Sequence, residues 1–522
     1  MNLVYDPWIP VTLLDGKPHQ ASLMDLFTAG EQYADMAVRP HERIALMRLL
    51  VCIGNAALDG PEDYSGMAEA RRRLPEAAKL YLEKWKERFN LFDDKYPFLQ
   101  RVDISKKSHD TTPASKMNFS FATGNNSSLF DHEGMNSENR KFDKSDLAIM
   151  LTTFLGFSPG GLIGKVHWCG SETKGNSSHA ICTPKSMLHT FIKGSSVLGS
   201  VGLNLLTKTQ IEIHYGNSSS WGAPVWESIP LGPDDADAIA NATKTYIGRL
   251  VPLSRLIKLL PSGQSMLLGD GLDYPAFNEF PREPSATEVL NKDKTDRILL
   301  AAQLEKSAWR ELHALVVRKK TDGMGGALAL ENIPDAEAFD LWVGALVADK
   351  ASILDVVESV IHVPIGMRND QGRLAYESEV AYAERIASHL GWAVEEFRKQ
   401  SDGGWEGRLK SAGKDKGKVL MRLRSAASRY YWTAVEKSLD YLMVYADKAG
   451  LQQDASDEQV AWRKSLFVAA CDAYRAACTP QTAREMKAFA LGMSKLTGKA
   501  KTQQDGDASD ADTTEIEEES YE

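Results

Sequence analysis

From about residue 376 to residue 497 the chain keeps a helical period with few interruptions, which leaves its C-terminal third little choice of architecture. Ile386, Leu390, Ala393 and Phe397 fall on one helical stripe. Ala427, Tyr430, Tyr431 and Ala434, followed by Leu439, Leu442 and Ala446, read as a second helix, and Trp462, Leu466, Ala470 and Ala473 mark a third. Ser456 and Gln459 stand in capping-box positions for the third, and Thr479-Pro480 reads as an N-cap with proline at the first position of a fourth. The connections at 401–416 and 447–457 return each helix alongside the one before, so residues 376–500 are expected to form an antiparallel four-helix bundle. No internal repeat of fixed period is visible.

Residues 1–375 have a different texture. Residues 3–14 carry the β-branched and aromatic content of a strand, with Pro10 suited to an edge or a strand end. Helical patterns follow at 41–58, where Ile44, Met47, Leu50 and Val51 share one face, and at 61–89. Between 105 and 220, short apolar stretches alternate with Asn, Ser, Gly and Lys, which predicts long irregular loops of the kind that carry function. Segments 309–317 and 339–347 read as helices, and 353–365 reads as a strand ending at the polar turn Arg368-Asn369-Asp370-Gln371-Gly372. The predicted fold class is α+β: a mixed α/β domain over 1–375, the bundle over 376–500, and a disordered acidic tail over 501–522.

Charge and cysteine usage narrow the function classes. The net charge is −10, but residues 505–522 hold nine acids and no base, so the rest of the chain is nearly neutral. A neutral body predicts local rather than global attraction to phosphate. No apolar run approaches eighteen residues, and Asp6 stands where a secretory signal would be basic, so neither membrane insertion nor export is expected. Five cysteines without regular spacing, with Cys52, Cys471 and Cys478 in apolar helical patterns, fit packed thiols in a reducing cytoplasm.

Four local patterns carry chemical meaning. Gly160-Gly161-Leu162-Ile163-Gly164-Lys165 resembles a phosphate-cradling loop, yet Pro159 replaces the first glycine and Val166 supplies no hydroxyl for magnesium. What remains is a backbone able to approach a groove closely, or a plain turn. His167, Cys169, His179 and Cys182 form a Cys2His2 set without the spacing of a zinc finger. Asn369, Asp370 and Gln371, flanked by Arg368 and Arg373, would make a planar wedge with arginines on the neighbouring phosphates, or a solvated turn before a helix. Lys410, Lys414, Lys416, Lys418, Arg422, Arg424 and Arg429 form a basic run with Asp415 as the nearby acid, which is either a phosphate track or a solvated helix face. No Ser/His/Asp set or carboxylate pair stands out, so catalysis is unsupported and no cofactor is expected.

Several segments, taken in order, resemble the large-subunit family (CasA) of the type I-E Cascade CRISPR surveillance complex. They are Met1-Asn2-Leu3 with Asp6 and Trp8-Ile9-Pro10-Val11, then Leu49-Leu50-Val51-Cys52-Ile53-Gly54, Pro97-Phe98-Leu99-Gln100, Ser158-Pro159-Gly160-Gly161, Pro224-Val225-Trp226 and Arg368-Asn369-Asp370-Gln371. The resemblance implies a non-catalytic subunit assembled with CRISPR RNA and the other Cascade subunits, which reads the protospacer-adjacent motif of double-stranded target DNA and helps recruit the helicase-nuclease effector. Gly160 and Gly161 would approach the minor groove and Asn369, Asp370 and Gln371 would form the wedge. Leu129, Phe130 and Asp131 would contact the RNA handle or a neighbouring subunit, and Lys414, Lys416, Lys418 and Arg422 would follow the DNA backbone. Because the minor groove separates little beyond A·T from G·C, the motif preference should be permissive, with guide pairing supplying most of the specificity. The chain departs from the family at Asp370, where a second amide is expected. The family's minor-groove lysine has no clear match over 274–280, and a cysteine cluster of some relatives is absent there. The alternatives are a metal-dependent nuclease built on His167, Cys169, His179 and Cys182, and a purely structural scaffold subunit.

Overall fold

The structure, a computed structural model, describes the chain except residues 107–109, 121–139, 217–219, 276–282, 292, 294, 317–324, 350–351, 403–413 and 499–522. The acidic tail thus lies outside the described residues. The chain divides into two compact units, Met1–Leu374 and Ala375–Glu522.

The first unit is organised around the helix Pro40–Leu58, whose residues from Ile44 to Asn55 are all buried. The sequence pattern predicted one apolar face. Instead the helix is covered on all sides, by the helices Met67–Trp85 and Lys144–Phe157 and by the strand Phe339–Asp349, among others. Arg48 sits in the middle of this apolar rod. Its Nε donates to the Leu250 carbonyl at 3.0 Å and its Nη2 to the Arg249 carbonyl at 2.7 Å, while Nη1 pairs with the buried Glu283 carboxylate, which Arg249 also approaches at 3.4 Å. Burial alone would raise the Glu283 pKa, but the two arginines more than offset it and hold the carboxyl below its ordinary value.

Residues 339–347, expected to be helical, form a strand. Phe339–Asp349 is the centre of an antiparallel sheet between His189–Lys193 and Ser352–Val363, in register from Phe339 opposite Val363 to Asp349 opposite Ser352, with an irregularity after Val347. Leu341 to Val347 is buried throughout, so the segment shows neither period 2 nor period 3.6, and the β preference of Trp342, Val343 and Val347 prevails. At the N-terminus, Ile9–Leu13 is the centre of a second three-stranded sheet, and Pro10 sits near its start with its carbonyl accepting from Ala37 N at 2.8 Å. Residues 3–5 form a turn and residues 6–8 are irregular, rather than strand. Between 105 and 220 the expected irregularity is found, with strands only two residues long at Gly161–Leu162, His167–Trp168, Ser171–Glu172 and Asn176–Ser177.

The second unit is a bundle of long helices. They are Asp370–Ser401, which begins in the first unit, Lys414–Glu436, Leu439–Gly450, Ser456–Ala477 and Ala483–Thr497. The expected second helix is thus broken at Lys437 and Ser438, and both of its halves pack on Ser456–Ala477. Tyr376, Leu390, Leu420, Tyr431, Leu442, Trp462 and Leu466 are all buried. Two expected caps differ. Ser456 is the first helical residue and is itself held by Asp454 Oδ1, while Gln459 donates to Glu379 at 2.8 Å. The last helix starts at Ala483 rather than near Pro480, capped by a reciprocal Thr482 and Glu485 box.

Candidate nucleic-acid interface

The glycine segment forms the outer strand of a small hairpin. Gly161–Leu162 pairs antiparallel with Asn176–Ser177, and Ile163 N donates to the Gly175 carbonyl at 3.1 Å. The two glycines do different work. A Cβ on Gly160 would stand 2.8 Å from His179 N and 3.0 Å from the Ser177 carbonyl oxygen, so its missing side chain serves the protein's own backbone. Gly161 has φ +124° and open space around it, and the next side chain, Leu162, is 92% exposed. Gly161 therefore has the open surroundings, while the Gly160 N–H is taken up by His179 Nδ1.

The root of this hairpin is held by charge. Arg255, 1% exposed, donates from Nη2 to the Pro159 carbonyl at 2.6 Å and to the Ser178 carbonyl at 3.0 Å, joining the two flanks of the hairpin. Burial pulls its guanidinium down to about 10. The buried Asp270 accepts from Gly175 N at 2.7 Å and from the Thr173 hydroxyl, and Ser178 Oγ donates to the Tyr274 carbonyl at 3.0 Å. Arg255 was missed in the sequence; its one signal is an arginine between the apolar residues Leu253 and Leu256-Ile257.

Asn369, Asp370 and Gln371 are exposed, but they open the helix Asp370–Ser401 rather than forming a free turn. Asn369 Oδ1 accepts from Gly372 N at 3.0 Å, as an N-cap does. The flanking arginines are engaged within the protein. Arg368 donates to the Ile333 carbonyl at 2.8 Å, meets Asp335 at 3.4 Å and lies over the Phe339 ring, and Arg373 pairs with Asp370 at 2.8 Å. Gln371 is the planar side chain left facing outward.

The remaining candidates separate. Lys418 and Arg422 are exposed on Lys414–Glu436, and Lys414 and Lys416 lie on its first turn with side chains outside the described part. Arg424 instead pairs with Glu395 at 2.5 Å. The loop with Leu129, Phe130 and Asp131 lies outside the described residues. His167, Cys169, His179 and Cys182 do not converge. His179 Nδ1 accepts from Gly160 N at 3.1 Å, Cys169 Sγ donates to Asp103 at 3.2 Å, His167 faces Glu172 at 3.8 Å, and Cys182 is buried with its thiol pushed up to about 12. Among the described residues no three His, Cys, Asp or Glu side chains are grouped to hold a metal ion, and no helix is long and apolar enough to cross a membrane.

The sequence profile of the family described as CRISPR-associated protein Cse1 matches residues 2–473. The chain belongs to the Cse1 family. This Cse1-family chain is 26% identical over 519 residues to a CRISPR-associated protein CasA/Cse1 of Thermus thermophilus, covering 94% of this chain and 95% of that protein. Its fold is that of Thermus thermophilus CasA, with TM-score 0.75 at 22% identity over 95% of this chain and 98% of that one. Thermobifida fusca Cse1 is similar at TM-score 0.73 and 18% identity, over 95% of this chain and 98% of that one. A chain of a CRISPR RNA-guided surveillance complex is similar at TM-score 0.70 and 17% identity, over 95% and 99% respectively.

Proposed function

We propose that this Cse1-family chain is the non-catalytic DNA-recognition subunit of a cytoplasmic type I-E Cascade, assembled with CRISPR RNA and the other Cascade subunits. It reads the protospacer-adjacent motif through the minor groove with the Gly161 backbone, opens the duplex with Gln371, and helps recruit the helicase-nuclease. The observation that carries this reading is the strand Gly161–Leu162: an exposed glycine backbone beside residues pinned by Arg255 and Asp270, a form suited to entering a narrow groove without deforming. Lys418 and Arg422, with Lys414 and Lys416, would add backbone contacts, so the salt dependence should reflect a few phosphates only. A nuclease built on His167, Cys169, His179 and Cys182 has no support in their geometry.

The test is duplex binding by the RNA-loaded complex, with the bases flanking the target varied, for wild type, Leu162→Asp and Gln371→Ala. Motif-dependent binding lost with Leu162→Asp, and strand opening lost with Gln371→Ala, are expected at unchanged assembly. Binding and opening unaltered in both variants would leave the scaffold role as the better reading.

A further inference from the structure

The first unit also contains a cavity of about 400 Å3, within the range of small-molecule sites. Its apolar wall includes Pro97, Leu99, Trp226, Ile229 and Leu253, with the exposed Leu231 also lining it. That wall is rigid. Phe98 stacks on Phe89 at 5.2 Å, Trp226 leans on the same ring at 5.3 Å, and Trp226 Nε1 donates to the Tyr81 hydroxyl at 2.8 Å. Gln100 binds the Leu91 carbonyl and Leu259 N, fixing Leu99 at φ +54°, so the Pro97-Phe98-Leu99-Gln100 motif is spent on shaping this wall.

The polar lining is cationic: Arg88, Lys95 and Arg101 against Asp103. Arg101 is bound to Asp103 through two hydrogen bonds and is neutralised. Arg88 and Lys95 make no ion pair among the described residues. Both lie over the Tyr96 ring, at 3.6 and 4.9 Å from its centroid, and Arg88 Nη1 is enclosed without a hydrogen-bond partner. Two cations without an ion-pair partner beside an apolar wall suit an oxyanion carried on a planar apolar group. We propose that this cavity binds a nucleoside phosphate, its phosphate on Arg88 and Lys95 and its base and sugar along the apolar wall. The group could be a free nucleotide or the unpaired terminal nucleotide of a single strand.

The full-length chain is titrated, by calorimetry at low salt, with AMP, UMP, adenosine, inorganic phosphate and a 5′-phosphorylated RNA hexamer. AMP or UMP should bind, adenosine and phosphate should each bind at least tenfold more weakly, and Lys95→Ala and Arg88→Ala should each weaken binding about tenfold. Lys95 is exposed, so its variant probes the site without risk to folding. A hexamer bound more tightly than AMP, and still sensitive to Lys95→Ala, would make the ligand a strand end; the reverse order would make it a free nucleotide. No binding by any nucleotide, binding indifferent to both variants, or phosphate binding as tightly as AMP would overturn the proposal.

Discussion

Gly160 and Gly161 are adjacent and have opposite obligations. Gly160→Ala forces a methyl against the backbone of Ser177 and His179, which should cost about 1–3 kcal/mol of stability, measurable as a lowered urea midpoint. Leu162→Asp, beside it on the open side, should leave that midpoint within about 0.5 kcal/mol. Arg255→Met strips the Pro159 and Ser178 carbonyls of their charged donor. We expect a loss of about 3 kcal/mol together with weaker motif-dependent DNA binding by the assembled complex, read by denaturation and duplex titration in parallel. The Pro-Gly-Gly sequence was visible as a place needing bare backbone, but which glycine faces outward depends on a strand that comes later in the chain, Asn176–Ser177. The work of Arg255 depends on carbonyls 96 and 77 residues away, and nothing local marks it.

Among the elements, those with an exposed face were readable; of two buried all round, Pro40–Leu58 was read as a helix while Phe339–Asp349 was not read as a strand. The bundle helices alternate apolar and polar faces, so their stripes show in the sequence, and residues such as Leu390, Ala427, Leu442 and Trp462 are buried as expected. Phe339–Asp349, buried along most of its length, has no polar face to betray its period. The last helix is capped by Thr482 rather than the expected Thr479, because Glu485 returns the Thr482 hydrogen bond. The helix start at Asn369 is where the proposed wedge sits. Asn369→Ala should lower stability by about 1 kcal/mol through loss of the cap, whereas Gln371→Ala, which removes an exposed amide, should leave thermal unfolding unchanged. Comparing the two unfolding curves separates capping from wedge.

For the molecule as a whole, two enclosed imidazoles set the response to acid. Burial lowers His41 to about 3 and His189 to about 4, so the fold favours their neutral forms. Their contribution is complete above the unfolded value near 6.5 and is lost as pH falls from there toward the folded values. Between pH 6.5 and 5 this amounts to about 2 kcal/mol each, and Glu283, with its lowered pKa, adds a further loss at still lower pH. Stability from urea titrations at pH 7 and pH 5 should differ accordingly, and a His41→Gln, His189→Gln double variant should flatten the difference. The ion pair between Arg48 and Glu283 joins residues 235 positions apart, and the central sheet closes only with Ser352–Val363. During synthesis the buried helix therefore emerges from the ribosome long before its countercharge. A nascent chain ending short of residue 283 holds a cation that cannot be buried without its countercharge, so the first unit must wait for most of its length before it can close, and N-terminal fragments should be the species that chaperones and proteases meet.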